Sequence, residues 1–216
     1  MTNLPSHTPA GDTPDLPDPL PLFPLQMVLF PGARLGLKVF EARYLDLVGD
    51  CLRTQQPFGV VCLSAGSDTA RDGVSLEGIG VLAHIDEVDA EQPGILQLRC
   101  CGGSRFRINE PAVQRDDGLW TARAARIADD PLRMPGAAML QTVTALAEAI
   151  RKLQEQGRTP FFAPYRFDDA GWVANRWCEL LPVPLPAKQK LMELEDPMLR
   201  LSLVDGYLRD KQVVVG

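Results

Sequence analysis

The side chains with the greatest potential for chemistry are five cysteines and one histidine. The cysteines are Cys51, Cys62, Cys100, Cys101 and Cys178. A thiolate activated by an imidazole is a common nucleophile. However, no local motif surrounds any cysteine, and His84 lies in an apolar run between Ala83 and Ile85. We therefore favour a structural role for these groups and rank a cysteine-dependent hydrolase last among the candidate functions.

The same residues do not have the spacing of a metal site or of a disulfide framework. Cys100 and Cys101 are adjacent, whereas two thiolates that hold one zinc ion are usually arranged as C-x-x-C. An odd number of cysteines spread along the chain favours free thiols in the interior. We expect no metal ion and no cofactor.

Two acidic clusters are the remaining candidates for catalysis. They comprise Asp86, Glu87 and Asp89, and then Glu193, Glu195 and Asp196. Acid-base catalysis needs two carboxyl groups that converge in a cleft with separated pKa values. Both clusters lie at predicted ends of strands or helices, so surface positions or helix capping explain them better. The sequence also has no G-x-x-x-x-G-K-[ST] loop to hold a nucleotide. We therefore expect no catalytic residues.

Arginine and aromatic side chains are better candidates for binding. Arg43 could bind a peptide carboxylate, although an ion pair with Glu41 or Asp46 at the start of a helix is the favoured role. The segment TPFFAPYRF, residues 159–167, contains three phenylalanines and a tyrosine. If exposed, it would suit a partner-binding loop. If buried, it would be a lid between helices and sheet, and the sequence leaves both roles open.

Composition restricts the classes of protein to which the chain can belong. The 216 residues carry a net charge of -6 and are 45% hydrophobic, without an apolar run long enough to span a membrane. With no export signal at the N-terminus, we expect a cytoplasmic location. A negative total charge argues against binding of nucleic-acid phosphates. One basic group on and near a predicted strand keeps RNA binding as the second hypothesis: Arg99, Arg105, Arg107, Arg123 and Arg126.

The sequence periodicity divides the chain into a tail, a β-rich part and a helical part. Residues 1–19 contain five prolines and few large apolar residues, which predicts a flexible tail. From Leu20, short runs with prolines predict edge or irregular strands with a turn at Pro31-Gly32. Phe40, Tyr44, Leu47, Val48 and Cys51 then form a helical stripe, with Glu41 in the first turn.

Further strands are predicted in FGVVCLS, GIGVLAHIDEV, ILQLRC, RFRI and LWTARAARI. The turns between them are predicted at Asp72-Gly73, Pro93-Gly94, Gly102-Gly103 and residues 116–118. Helical periodicity returns after Pro135-Gly136 and in three later segments, the last of them capped by Asp196 with Pro197 at its first position. Segregated strands and helices predict an α+β fold.

These motifs resemble the Lon substrate-binding domain family. The resemblance begins with LPLFPLQMVLFPGARLGLKVFEARYLDLV, continues through GGSRFRI, and closes with AKQKLMELEDPMLRLSLV. It implies a PUA-like β pseudo-barrel at residues 20–130, followed by an α-helical bundle at residues 131–212. Because the chain has no phosphate loop and no room after residue 212 for a protease module, we expect no ATPase or Ser-Lys protease activity.

The resemblance also implies a function. We expect a non-enzymatic module that binds unfolded or extended polypeptide segments and acts as an adaptor in proteolysis or protein quality control, with a protease as a second partner. Its candidate binding residues are aromatic side chains and one arginine: Phe30, Phe40, Arg43, Tyr44, Phe161, Phe162 and Tyr165.

Overall fold

The computed structural model describes residues 16–64 and 75–214. Most of the predicted tail and the predicted turn at Asp72-Gly73 lie outside these residues. No helix within the described part is long and apolar enough to cross a membrane. The strands end at Arg126 and the helices of the second half begin at Ala137, so the predicted α+β fold is confirmed.

One sheet of eight strands occupies the first half of the chain. The strands are β1 (Leu20–Leu25), β2 (Arg34–Val39), β3 (Phe58–Cys62), β4 (Ile79–Gln92), β5 (Ile95–Ile108), β6 (Val113–Gln114), β7 (Trp120–Ala122) and β8 (Ala124–Arg126). The order across the sheet is β2-β5-β4-β3-β1-β7-β6, and β8 pairs with β5. All pairs are antiparallel except β1 with β3.

Strand β1 lies inside the sheet, between β3 and β7, whereas its prolines predicted an edge strand or an irregular one. Pairing with β7 covers Leu20 to Leu22, and pairing with β3 begins at Leu22 and continues to Leu25. Pro21 and Pro24 therefore lie where β1 has a partner on one side only. A residue without a backbone N–H is tolerated at such positions because no hydrogen bond is lost on the open side.

Strand β5 runs without interruption through Gly102 and Gly103, where a turn was predicted. Instead, the two glycines allow neighbouring parts of the chain to lie close to the strand. A Cβ atom at Gly102 would lie 2.4 Å from the carbonyl oxygen of Phe30, and one at Gly103 would lie 2.8 Å from Nε2 of His84. A glycine pair inside a strand can therefore mark contact with a neighbouring segment as well as a turn.

The first helix, α1 (Ala42–Thr54), confirms most of the predicted apolar stripe. Its buried residues are Tyr44, Leu47, Val48 and Cys51. Phe40 was predicted in the same stripe, but it precedes the helix and is 63% exposed. Glu41 is the N-cap and lies outside the first turn, so the helix begins after the position that the spacing indicated.

Four helices follow the sheet after a short 3-10 turn at Ala137–Met139: α2 (Leu140–Glu155), α3 (Ala170–Leu180), α4 (Leu185–Glu193) and α5 (Pro197–Asp210). The predicted cap of α5 is present, because the Asp196 carboxylate accepts hydrogen bonds from the backbone N–H groups of Met198 and Leu199. Such a bond satisfies donors that the first turn of a helix leaves free.

Both faces of the sheet are apolar. Val60 and Val81 belong to a large core cluster that also contains residues of α1, α2, α3, α4 and α5. Their neighbours Val61 and Leu82 belong to a smaller cluster around Phe106. Because side chains alternate between the faces of a strand, the two clusters lie on opposite faces. The helices therefore share one core with one face of the sheet.

Candidate functional site

A buried polar cluster joins the sheet to the helices. Asp130, in the connection after β8, accepts a 2.6 Å hydrogen bond from Nη2 of Arg105 on β5 and another from Nη1 of Arg200 on α5. The arginine side chains are 2% and 1% exposed, and that of Asp130 is 13% exposed. Both guanidinium groups also donate to the carbonyl oxygen of Leu194. We call these three charged residues the Asp130 cluster.

Burial lowers the pKa of Arg105, and the nearby Asp130 carboxylate opposes that shift. A buried charge is costly unless it is paired and hydrogen-bonded. The Asp130 cluster meets this requirement. Its arrangement therefore indicates a structural role, in which it joins the sheet to the helices, rather than a ligand-binding site.

A third buried arginine, Arg176 on α3, binds the turn between β1 and β2. Its guanidinium donates to the carbonyl oxygens of Gly32, at 2.6 Å, and Pro31, at 2.8 Å. It also lies 2.5 Å from Oε1 of Glu179. Burial raises the pKa of Glu179 to about 7, against the opposing effects of Arg176 and Lys188.

The aromatic segment 159–167 packs against Arg176 and α3. Phe161 is 2% exposed and meets Trp172 edge to face, with ring centroids 6.3 Å apart. Tyr165 lies 6.0 Å from the same tryptophan, and its hydroxyl accepts a hydrogen bond from Gln154. Phe162 is half-buried beneath the guanidinium of Arg34, 4.2 Å from its ring centroid. The segment thus joins helices to sheet, while Phe162 and Tyr165 keep part of their surface in solvent.

The start of α1 forms a separate surface that we call the Phe40 surface; it consists of Phe40 and Arg43. Arg43 donates to Oε2 of Glu41, at 2.5 Å, and to the carbonyl oxygen of Gly118, at 3.0 Å. The ion pair considered for Arg43 is therefore formed with Glu41. Tyr44 is 7% exposed and stacks on Phe23, with centroids 4.1 Å apart, which fixes the base of this surface.

The structure thus places the seven candidate residues in three settings. Phe40, Arg43 and Tyr44 are together at the start of α1. Phe161, Phe162 and Tyr165 are together in the aromatic segment. Phe30 is fully buried in the core beside Gly102 and presents no side-chain surface to a ligand.

The predicted basic group on β5 is not a continuous exposed face. Arg105 is buried in the Asp130 cluster, so the alternation of Arg99, Arg105 and Arg107 does not describe one solvated row. The exposed members are paired: Arg99 with Glu87, Arg107 with Glu195, and Arg123 with Glu110. These carboxylates oppose phosphate binding, so the structure adds no support for RNA recognition.

The pKa values of the cysteine thiols are raised, whereas a nucleophilic cysteine needs a lowered pKa. Burial raises the pKa of Cys51 to about 11 and those of Cys100 and Cys178 to about 12. The pKa values of Cys62 and Cys101 are raised by the same cause. His84 is exposed and lies opposite Cys101 in the β4–β5 pair. Because the thiolate is the reactive form, these thiols are poor nucleophiles at neutral pH.

A family model places this fold and its motifs among known proteins. Residues 19–210 match the model of the ATP-dependent protease La (LON) substrate-binding domain. The chain belongs to the Lon substrate-binding domain family. In the described residues, no group of three or more His, Cys, Asp or Glu side chains could hold a metal ion.

Similar proteins of this family include whole proteases and isolated domains. The chain is 30% identical over 206 residues to the Lon protease of Paraburkholderia phytofirmans, covering 91% of this chain and 25% of the relative. It is 26% identical over 215 residues to Lon protease 2 of Myxococcus xanthus, covering 93% and 24%. The chain thus spans about a quarter of the length of these curated relatives.

Solved structures with the same architecture include a Lon N-terminal domain protein from Xanthomonas campestris. It superimposes with a TM-score of 0.72 at 33% identity, over 87% of this chain and 97% of that one. The N-terminal domain of the Mycobacterium avium complex Lon protease superimposes with a TM-score of 0.59 at 13% identity, over 88% and 98%. The second match supports the fold alone.

The closing motif of the Lon domain has a structural explanation that sequence reasoning missed. In KQ-x-L-x-E, Lys188 donates to the carbonyl oxygen of Glu179, and Gln189 donates to that of Ile79 on β4 and to Glu193. The following Arg-Leu pair contains Arg200. The buried positions of α5 include Arg200, Leu201, Val204, Asp205 and Leu208. A charged residue on an otherwise apolar helical stripe could therefore have identified Arg200 as a buried arginine from the sequence.

Proposed function

We propose that this chain binds unfolded or extended segments of other polypeptides and acts as an adaptor in proteolysis or protein quality control. The observation that carries the proposal is the family match across residues 19–210, which includes nearly all of the described chain. The match is to a substrate-binding domain and not to a catalytic one. The described residues agree with binding, because the buried charges of the Asp130 cluster are paired and burial raises the pKa of the Cys100 and Cys178 thiols.

The Phe40 surface is the best-formed contact site among the predicted residues. Phe40 exposes 63% of its surface beside Arg43, whose guanidinium is held in place by Glu41 and Gly118. An exposed aromatic ring next to a fixed arginine combines two of the side-chain types that contribute most to protein contacts.

The aromatic segment supplies a second surface. Phe162 and Tyr165 are half-buried: the guanidinium of Arg34 lies over the Phe162 ring, and Gln154 donates a hydrogen bond to the Tyr165 hydroxyl. Phe161 is buried against Trp172, so its side chain is not offered as a ligand contact. We therefore propose that Phe40, Arg43, Phe162 and Tyr165 contact polypeptide directly, with Tyr44 and Phe161 as their supports.

The experiment compares binding of reduced, carboxymethylated α-lactalbumin, which stays unfolded, with binding of native α-lactalbumin. The labelled proteins are titrated with the full chain and followed by fluorescence anisotropy. We expect binding of the unfolded form only. Phe40→Ala should weaken it roughly fivefold or more, as expected when an aromatic anchor is truncated. Leu132→Ala removes a side chain that is 68% exposed elsewhere and should leave binding unchanged. Equal binding of both lactalbumin forms, or of neither, would overturn the proposal.

A cytoplasmic location and a protease as partner belong to the same proposal. Two measurements address them: fractionation of the source cells, and cross-linking of the full chain in those cells followed by mass spectrometry. Recovery with membranes would contradict the location. Cross-links to unfolded clients in the absence of any protease would limit the proposal to client binding.

A further inference from the structure

Strand β2 forms one end of the sheet. Its inner side pairs with β5 along its whole length, from Arg34 opposite Cys101 to Val39 opposite Leu96. On its outer side, no strand within residues 16–64 and 75–214 pairs with it beyond Ala33. An edge of this kind presents backbone N–H and C=O groups with which a second extended chain can pair.

The protein already uses the first part of this edge. Ala33 forms an antiparallel bridge with Phe161, and Nη1 of Arg34 donates to the carbonyl oxygen of Thr159, at 3.2 Å. Residues 159–161 therefore run antiparallel beside the start of β2. Beyond them, residues 36–39 continue the strand with an open outer side, and exposed Phe40 follows at once. We call residues 36–39 the open edge.

The side chains of the open edge restrict what can pair with it. Leu37 and Val39 point into the core, whereas Gly36 and Lys38 are exposed on the other face. A Cβ atom at Gly36 would meet no atom within 4 Å, so the exposed face of β2 is open at this position. In the part of the chain that the structure describes, Lys38 has no ion pair. Opposite charges on neighbouring strands are favourable, and like charges are not.

We propose that an extended polypeptide segment adds to the open edge as an antiparallel strand, with a carboxylate next to Lys38 and an apolar side chain against Phe40. This inference rests on the proposed function and specifies how the polypeptide is held. The bridge between Ala33 and Phe161 supports the antiparallel direction. The basic side chains of Arg34 and Lys38, on one face of β2, support an acidic partner. The backbone provides affinity without requiring a particular sequence, while Lys38 and Phe40 provide preference.

The test uses the full chain and reduced, carboxymethylated α-lactalbumin, an acidic unfolded protein. Hydrogen exchange of the backbone amides is measured with and without this probe. We expect slower exchange within residues 36–39, because their outward amides gain hydrogen-bond partners. Lys38→Glu should weaken binding roughly five- to tenfold by placing like charges opposite each other. Lys152→Glu makes the same change at an exposed position of α2 and should leave binding unchanged.

The outcomes of these measurements separate strand addition from the proposed function. If the probe binds but residues 36–39 exchange at their original rate, strand addition is wrong and the proposed function stands. If exchange slows but Lys38→Glu and Lys152→Glu bind equally, the role of Lys38 is wrong. If the probe does not bind at all, the proposed function fails, and the inference fails with it.

Discussion

Removing the carboxylate of Asp130 should destabilise the whole fold. Asp130→Ala leaves the guanidinium groups of Arg105 and Arg200 buried next to each other without their shared counter-charge. Both arginines keep bonds to backbone carbonyls, among them that of Leu194, but these dipoles do not neutralise two positive charges. Repulsion between the arginines adds to the loss of the ion pairs.

The expected loss is about 3–5 kcal/mol, the range found when one partner of a buried ion pair is removed. The side-chain exposures of 2%, 1% and 13% justify this range, because an exposed pair would contribute less than about 1 kcal/mol. Domains are stable by only about 5–15 kcal/mol, so the loss is a large share of the total. With a urea dependence of about 2–3 kcal/mol per molar, the midpoint should fall by roughly 1–2.5 M.

Urea unfolding can follow both halves of the molecule. Trp120 lies in β7, and Trp172 and Trp177 lie in α3. The fluorescence of a variant that keeps only Trp120 therefore follows the sheet, and that of a variant that keeps only the α3 tryptophans follows the helices. We expect coincident transitions, since one core cluster contains residues from both halves. Separate transitions would instead support independent folding of the predicted parts, residues 20–130 and 131–212, whose boundary lies at Asp130.

Asp129→Ala is the matched control. It removes the neighbouring exposed carboxylate and should change stability by no more than about 0.5 kcal/mol. If Asp130→Ala and Asp129→Ala have the same urea midpoint, the Asp130 cluster does not stabilise the junction, and the reasoning from burial and charge is refuted.

Two further predictions concern electrostatics and packing. The first concerns Glu179, whose pKa is raised by burial from an ordinary value of 4.5 to about 7. Between these two pH values the folded state keeps a proton that the unfolded state releases. The stability of the wild type relative to Glu179→Gln should therefore fall as the pH rises from about 4.5 to 7. Urea titrations across this range check the sign, and a rise would mean that attraction to Arg176 outweighs burial. Gly102→Ala should cost about 1–3 kcal/mol, because its Cβ would lie 2.4 Å from a backbone oxygen, whereas Gly36→Ala in open space should be neutral or slightly stabilising. Equal urea midpoints for the two variants would contradict the packing explanation.

The sequence was sufficient to predict most elements because periodicity reports which face is buried. The stripe of α1 and the cap of α5 are local features and were predicted correctly, apart from the position of Phe40. The place of β1 inside the sheet was not predicted, since it depends on partners about 40 and 100 residues away. The glycines of β5 were misinterpreted for the same reason: their neighbours, Phe30 and His84, are distant in sequence.

The candidate surfaces show the same limit. Residue type drew attention to three phenylalanines, but no local pattern distinguishes exposed Phe40 from buried Phe30 or half-buried Phe162. The apparent basic row failed because strand alternation predicts one solvated face, whereas Arg105 is turned into the junction by Asp130 and Leu194. Long-range pairs of this kind become visible only in three dimensions.

The position of β1 also affects how the protein is made. Leu22 pairs with Gly59 and with Trp120, so the second partner is synthesised roughly 5–20 s after β1 at a rate of about 5–20 residues per second. During that interval, the apolar segment of β1 has a free side on the nascent chain. The sheet cannot be completed before β7 has left the ribosome. The ion pair between Asp130 and Arg200 forms later still, after α5 has been synthesised. The chain would thus expose an apolar, extended segment of its own during synthesis.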